Sequence, residues 1–162
     1  MDIRGKALYR FYAWFEPELD ININNMKCFN VRVYGIWIDN GRLLVSEEIF
    51  NGNLVTKLPG GGMEWGEGTI ECLKREWKEE MGIDIDVTSH FYTTDYFIKS
   101  WVDNSQLISI YYLVQAPIPA NIHNYVPGER TYWIDIKTLT TDTFTLHVDK
   151  IVAGLIGKTY GE

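Results

Sequence analysis

With 162 residues, 46% of them apolar and 14% aromatic, the chain can bury one good core and falls in the single-domain range. A formal net charge of -7 without a basic footprint argues against binding to long nucleic acid, because the long-range field opposes a polyanion. A small polyphosphate that arrives with its metal ion is not excluded, since the cation neutralises it and a carboxylate-lined site then attracts the complex.

Residues 1–28 are rich in aromatics, including Tyr9, Phe11, Tyr12, Trp14 and Phe15, and end in the polar run Asn22, Asn24, Asn25, a turn or short linker. We read them as an N-terminal extension that serves as an extra edge strand, a lid or the arm of a homodimer, and 29–162 as the domain proper. Arg10, Glu16, Pro17 and Glu18 interrupt any signal-peptide core. The longest clean apolar stretch, Ile108 to Val114, is too short to cross a bilayer, so a cytoplasmic protein without membrane contact is expected. Cys28 and Cys72 lack CxxC spacing and read as reduced thiols.

From Phe29 to Ile38 β-branched and aromatic residues alternate, Asp39-Asn40-Gly41 makes a turn, and Arg42 to Ser46 resumes the pattern, which predicts a hairpin. Asn51-Gly52-Asn53 marks a second turn, Leu54 to Leu58 a short strand, and Pro59 to Gly62 a break in regular structure. A helix follows over 69–81, where Ile70, Leu73, Trp77 and Met81 recur at helical spacing, with Thr69 placed to cap its start and Gly82 to close its end. Strands are expected at 84–98 and 106–115, then a proline-punctuated loop at 117–128, a strand near Tyr132 to Asp135, and a terminal helix near 148–157. This order implies an α/β (α+β) domain whose helices cover a mixed sheet.

Chemistry concentrates in GGMEWGEGTIECLKREWKEEMGI, Gly61 to Ile83, after Leu58-Pro59-Gly60. On a helix, Glu76, Glu79 and Glu80 fall on one face while Leu73, Trp77 and Met81 occupy another. Three neighbouring carboxylates repel one another, a conflict that a hard dication with oxygen ligands resolves. Arg75 stands four residues before Glu79 and can pair with a carboxylate. Gly60, Gly61 and Gly62 permit a close backbone approach to metal or phosphate, and Glu67 enters beside the helix start.

At these positions the stretch resembles the Nudix box: Gly61, Glu67, Arg75, Glu76, an apolar Trp77 where an aliphatic residue is more usual, Glu79, Glu80, Gly82 and an apolar Ile83. The resemblance implies a Nudix fold, an α/β/α sandwich around a central mixed β-sheet. It also implies water attack on a phosphorus of a diphosphate with help from Mg2+, or Mn2+ in some members. Carried over by position, Gly60, Glu76, Glu79 and Glu80 are the expected metal ligands. Arg75 joins Glu76 and Glu79 in the expected catalytic set, Glu67 supports it, and Gly61, Gly62 and Glu67 are expected on the substrate side.

The family places its general base either in the box or on a later loop, and Glu129, before Tyr132-Trp133, is the later candidate, expected either to activate water or to bind a metal. Trp65, inside the glycine-rich loop, either stacks on a nucleobase or anchors the loop. Trp37, Trp101 and Trp133 lie on expected strands and read as core or edge residues. His90, His123 and His147 have no zinc-like spacing. Two other functions on the same fold are weighed: a ligand-sensing domain, which would often lose box carboxylates, and an isopentenyl-diphosphate isomerase-like enzyme, which departs from the strict box. The expected substrate is a small nucleotide-like diphosphate, a nucleoside triphosphate or a nucleotide sugar.

Overall fold

The computed structural model describes residues 28–100, 103, 105–117, 122 and 124–161. Apart from Cys28 the expected N-terminal extension therefore lies outside the described residues, as do Trp101 and His123. The described chain runs β1 (Phe29–Asp39), β2 (Arg42–Phe50), β3 (Asn53–Lys57), β4 (Gly60–Gly62), α1 (Thr69–Met81), β5 (Asp86–Thr93), β6 (Gln106–Gln115), β7 (Arg130–Asp135), two short 3-10 turns, and α2 (His147–Tyr160). No helix among the described residues is long and apolar enough to cross a membrane.

The two hairpin turns form because Asn40 and Gly41 take φ of 46° and 74°, and Asn51 and Gly52 take 49° and 77°, the left-handed pair that a tight two-residue turn requires. Strands lie in the order β3-β2-β1-β6-β5, with β4 joined to β1 and β7 to β2. The β1–β6 pairing is parallel, from Phe29 opposite Gln106 to Trp37 opposite Val114, whereas the other ladders are antiparallel, so the sheet is mixed as expected. β1 and β2 pair only at Ile38–Leu43 and Asp39–Arg42. Beyond that point they part, β1 taking β4 as its neighbour and β2 taking β3 and β7.

Each face of the sheet has its own core. α2 contributes Val148, Val152, Ala153 and Ile156 to a cluster with Tyr34, Ile36, Val45 and Tyr111. α1 contributes Cys72, Leu73, Trp77 and Met81 to a second cluster with Val33, Trp37 and Leu44. The unusual Trp77 fits because Gly35 faces it: a Cβ on Gly35 would meet the indole at 2.8 Å. The Trp77 indole N–H also donates to the Pro59 carbonyl at 3.3 Å, fastening α1 to the segment ahead of the glycines.

Four local expectations are corrected. Gly60–Gly62 does not break regular structure but forms a short strand, because Arg32, Val33 and Tyr34 supply pairing partners for a backbone without side chains. Gly68, not Thr69, caps α1, and its N–H is taken by the Glu71 carboxylate at 2.7 Å. Ile70 points away from the core and is exposed. β5 stops at Thr93, short of 98, where the Thr94 N–H turns to the Ser109 carbonyl at 3.1 Å and its hydroxyl accepts from the Ser109 N–H at 3.1 Å. Gly82 closes α1 as expected, in the left-handed conformation with φ of 69°.

Candidate active site

The site begins where β3 turns into β4. Leu58 N–H donates to the buried carboxylate of Asp149 at 3.0 Å, and Tyr111 donates to the other oxygen at 2.6 Å, so α2 and β6 together fix the chain just before Pro59. Burial, against the help of these two donors, pushes the Asp149 carboxyl up to about 6. Gly60 then takes φ of 139° with its backbone pressed on β1, where a Cβ would lie 2.2 Å from the Val33 carbonyl oxygen. Only glycine fits that crossing.

Arg75 organises the box. Its Nε and one Nη grip Glu67 as a fork, at 2.9 and 2.6 Å, and the same Nη donates to the Gly62 carbonyl at 3.1 Å. The other Nη reaches Glu76 at 2.9 Å and Glu79 at 3.2 Å. Glu67 also accepts from the Glu64 N–H at 2.7 Å, and the Arg75 fork holds its carboxyl below the usual range in spite of partial burial. A single guanidinium thus ties loop, β4 and helix together.

The carboxylates differ in setting. Glu76 lies against Gly61, whose added Cβ would come 2.2 Å from the carboxyl carbon. Glu79 is mostly solvent-exposed. Glu80 is half-buried, and burial pushes its carboxyl up to about 7; Lys57 opposes that shift, while Glu129, Glu76 and Glu48 add to it. Lys57 itself is buried, 3.3 Å from Glu48 and 3.5 Å from the Gly60 carbonyl. Burial works against its charge, yet Glu80 and then Glu48 keep the ammonium above the usual lysine range.

Glu129 comes from the loop that packs on the end of α1. Tyr125 N–H donates to the Glu80 carbonyl at 2.9 Å, and the Tyr125 ring fills the space beside Gly82, so close that a Cβ there would lie 2.6 Å from it. Trp65 is 93% exposed, which corrects the reading of it as an anchor packed on the domain. Cys72 is buried, and burial raises its thiol to about 12, leaving it unfit as a nucleophile. His90 bonds Thr93 at 2.8 Å and His147 opens α2.

Lys57, Glu48 and Asp149 were not anticipated from the sequence. A signal existed: Lys57 shares the inward face of β3 with buried Val55, and Asp149 shares a helical face with Val152, Ala153 and Ile156.

The donor chemistry suits a hard divalent ion. Glu48, Glu76, Glu80, Glu129 and the Gly60 carbonyl offer oxygen only, the donor type that such an ion prefers. Among the described residues no three acidic, histidine or cysteine side chains already converge on one point. Arg75 and Lys57 draw several of them instead.

Comparison with known proteins bears on the fold and the family. No curated protein matches the sequence. Solved structures share the fold at low identity: the MutT protein from Methanosarcina mazei Go1 (17% identity, TM-score 0.67, covering 84% of this chain and 98% of that one) and the MutT NUDIX hydrolase from Burkholderia pseudomallei (18%, TM-score 0.65, 79% and 98%). A NUDIX hydrolase from Nitrosomonas europaea is similar too (22%, TM-score 0.60, 81% and 91%). The family model of the NUDIX domain matches residues 27–154, and the chain accordingly belongs to that family, the hydrolases of phosphorus-containing acid anhydrides.

Proposed function

We propose that the protein is a cytoplasmic, Mg2+-dependent pyrophosphohydrolase, able to use Mn2+, that cleaves a phosphate anhydride in a nucleoside triphosphate or a nucleotide sugar. Glu76, Glu80 and the Gly60 carbonyl would hold the ion, with Glu79 joining from the exposed side of α1. When bound, such an ion supplies charge neutralisation on the phosphates and lowers the pKa of water. The observation that carries the reading is that Glu76 is packed on Gly61, in the strand that carries the Gly60 carbonyl.

The chain's own residues do the remaining work. Arg75 keeps Glu67, Glu76 and the Gly62 carbonyl in fixed relation, so that the glycine strand can lie along the phosphates. Glu129, whose charge acts on Glu80, would accept a proton from the attacking water. Exposed Trp65 offers a flat face to a base.

The test is a panel of nucleoside triphosphates, nucleotide sugars and dinucleotides incubated with Mg2+ or Mn2+ in 18O-labelled water. Label in one phosphate product identifies the attacked phosphorus. Loss of turnover in Glu76→Gln together with loss of ion uptake is expected. Turnover that persists in chelator would overturn the proposal, and ligand binding without turnover by the wild type would favour the sensor alternative.

A further inference from the structure

One cation in the site has no part in that mechanism. Lys57 ends β3 with a side chain only 4% exposed, and its ammonium reaches Glu48 Oε1 at 3.3 Å and the Gly60 carbonyl at 3.5 Å. It is also the largest electrostatic influence on Glu80. A lysine buried among apolar strand residues is expensive unless its charge is matched. Here the matching groups, Glu48 and the Gly60 carbonyl, are among the oxygen donors counted above as suited to a divalent ion.

We propose that Lys57 is a built-in counter-cation, which holds Glu48 and the Gly60 carbonyl together before a divalent ion arrives and then sets the affinity for that ion by competing for the same oxygens. The inference rests on the metal-dependent reading. Its logic is electrostatic: without a resident positive charge the neighbouring carboxylates repel one another, whereas with one present an incoming dication must displace it and then bind beside it. Lys57 is a positioning residue, since it acts on the ligands and not on the substrate. The arrangement trades ion affinity for a folded strand end whose charges are matched before the ion arrives.

Calorimetric titration of the metal-free full chain with Mn2+ at about pH 8, where carboxylates are ionised, tests this, accompanied by thermal melts with and without the ion. Lys57→Met is expected to bind Mn2+ at least about tenfold tighter, by loss of the opposing charge. Its metal-free melting temperature should drop, and the ion should restore it. Lys57→Arg keeps the charge and stays within about threefold of wild type. Glu48→Gln strips a negative charge and binds more weakly, so the two neutralising substitutions move affinity in opposite directions.

Weakening in both, the pattern of a merely structural contact, overturns the inference, as does unchanged affinity in Lys57→Met. A Lys57→Met chain that folds only with Mn2+ present supports it, and one that fails to fold even then overturns it. Wild type that takes up no ion sinks the metal-dependent reading itself, a result distinct from normal uptake with an indifferent Lys57→Met.

Discussion

The Glu76 carboxylate rests on the backbone of Gly61, in space that any larger residue would claim: a Cβ at 61 would stand 2.2 Å from its carboxyl carbon and 2.3 Å from Oε2. The obstructed atoms are the far end of a flexible side chain, so Gly61→Ala is expected to fold, with a stability change under about 1 kcal/mol. The displaced carboxylate, however, is the expected ligand. Turnover should fall by about a hundredfold or more, and Mn2+ affinity with it. Melting curves and calorimetry on the same preparation check this, and a Gly61→Ala enzyme that binds the ion normally would separate Glu76 from the metal.

Arg75 and Glu67 should behave as a unit. Their forked pair is largely shielded, with side-chain exposures of 24% and 15%, and it holds loop to helix. Charge-assisted hydrogen bonds in such settings contribute about 1.5 to 3 kcal/mol. Arg75→Lys loses the planar fork though it retains the charge, and activity is expected to drop about 10- to 100-fold. A double-mutant cycle of Arg75→Met and Glu67→Gln, read by urea unfolding, should give a coupling of about 1 to 2 kcal/mol. Additive effects would show that the two groups do not support each other.

What the sequence disclosed follows from where side chains carry the information. Helix α1 was legible because Leu73, Trp77 and Met81 repeat at helical spacing and Gly82 stops them, and the hairpins because Asn-Gly pairs tolerate positive φ. Strand β4 was hidden, since three glycines have no pattern and their structure comes from distant Arg32, Val33 and Tyr34. The box carboxylates and Glu129 could be named from the chain, but not the charged neighbours that β2 and β3 bring in, Glu48 and Lys57. Lys57 and Asp149 are polar residues whose burial depends on tertiary neighbours, and local propensity says nothing of those.

Asp149 gives a pH dependence of known sign. Burial raises its folded pKa to about 6, above the ordinary aspartate value, so the folded state binds the proton more tightly than the unfolded chain does. Its contribution to stability is therefore fully present below the unfolded pKa, near 4, and is lost as pH rises through about 6. Asp149→Asn can still accept from Leu58 and meet the Tyr111 hydroxyl. That variant should lack this loss, so the stability difference between it and wild type shrinks or reverses on acidification from about pH 7 to about pH 4. Asp149→Ala, which strands the Leu58 N–H and Tyr111 hydroxyl, is expected to cost about 2 to 4 kcal/mol. Denaturant melts across that pH range read both, and a parallel course for wild type and Asp149→Asn would refute the titration.

Trp65 separates binding from folding. At 93% exposure its ring buries almost nothing in the domain, so Trp65→Ala should leave stability within about 0.5 kcal/mol of wild type. If the ring stacks on a nucleobase, its loss removes about 1 to 3 kcal/mol of binding, a rise in KM of roughly 5- to 150-fold. Because the contact is made equally in ground and transition states, kcat should change little. Trp65→Phe, which retains a flat face, should recover most of the affinity, and inorganic pyrophosphate, which lacks a base, should be hydrolysed or bound equally well by all three. A KM for the preferred nucleotide that is the same in wild type and Trp65→Ala would leave the indole without a role in recognition and move the search for the base platform to Tyr125, the exposed aromatic on the loop that bears Glu129.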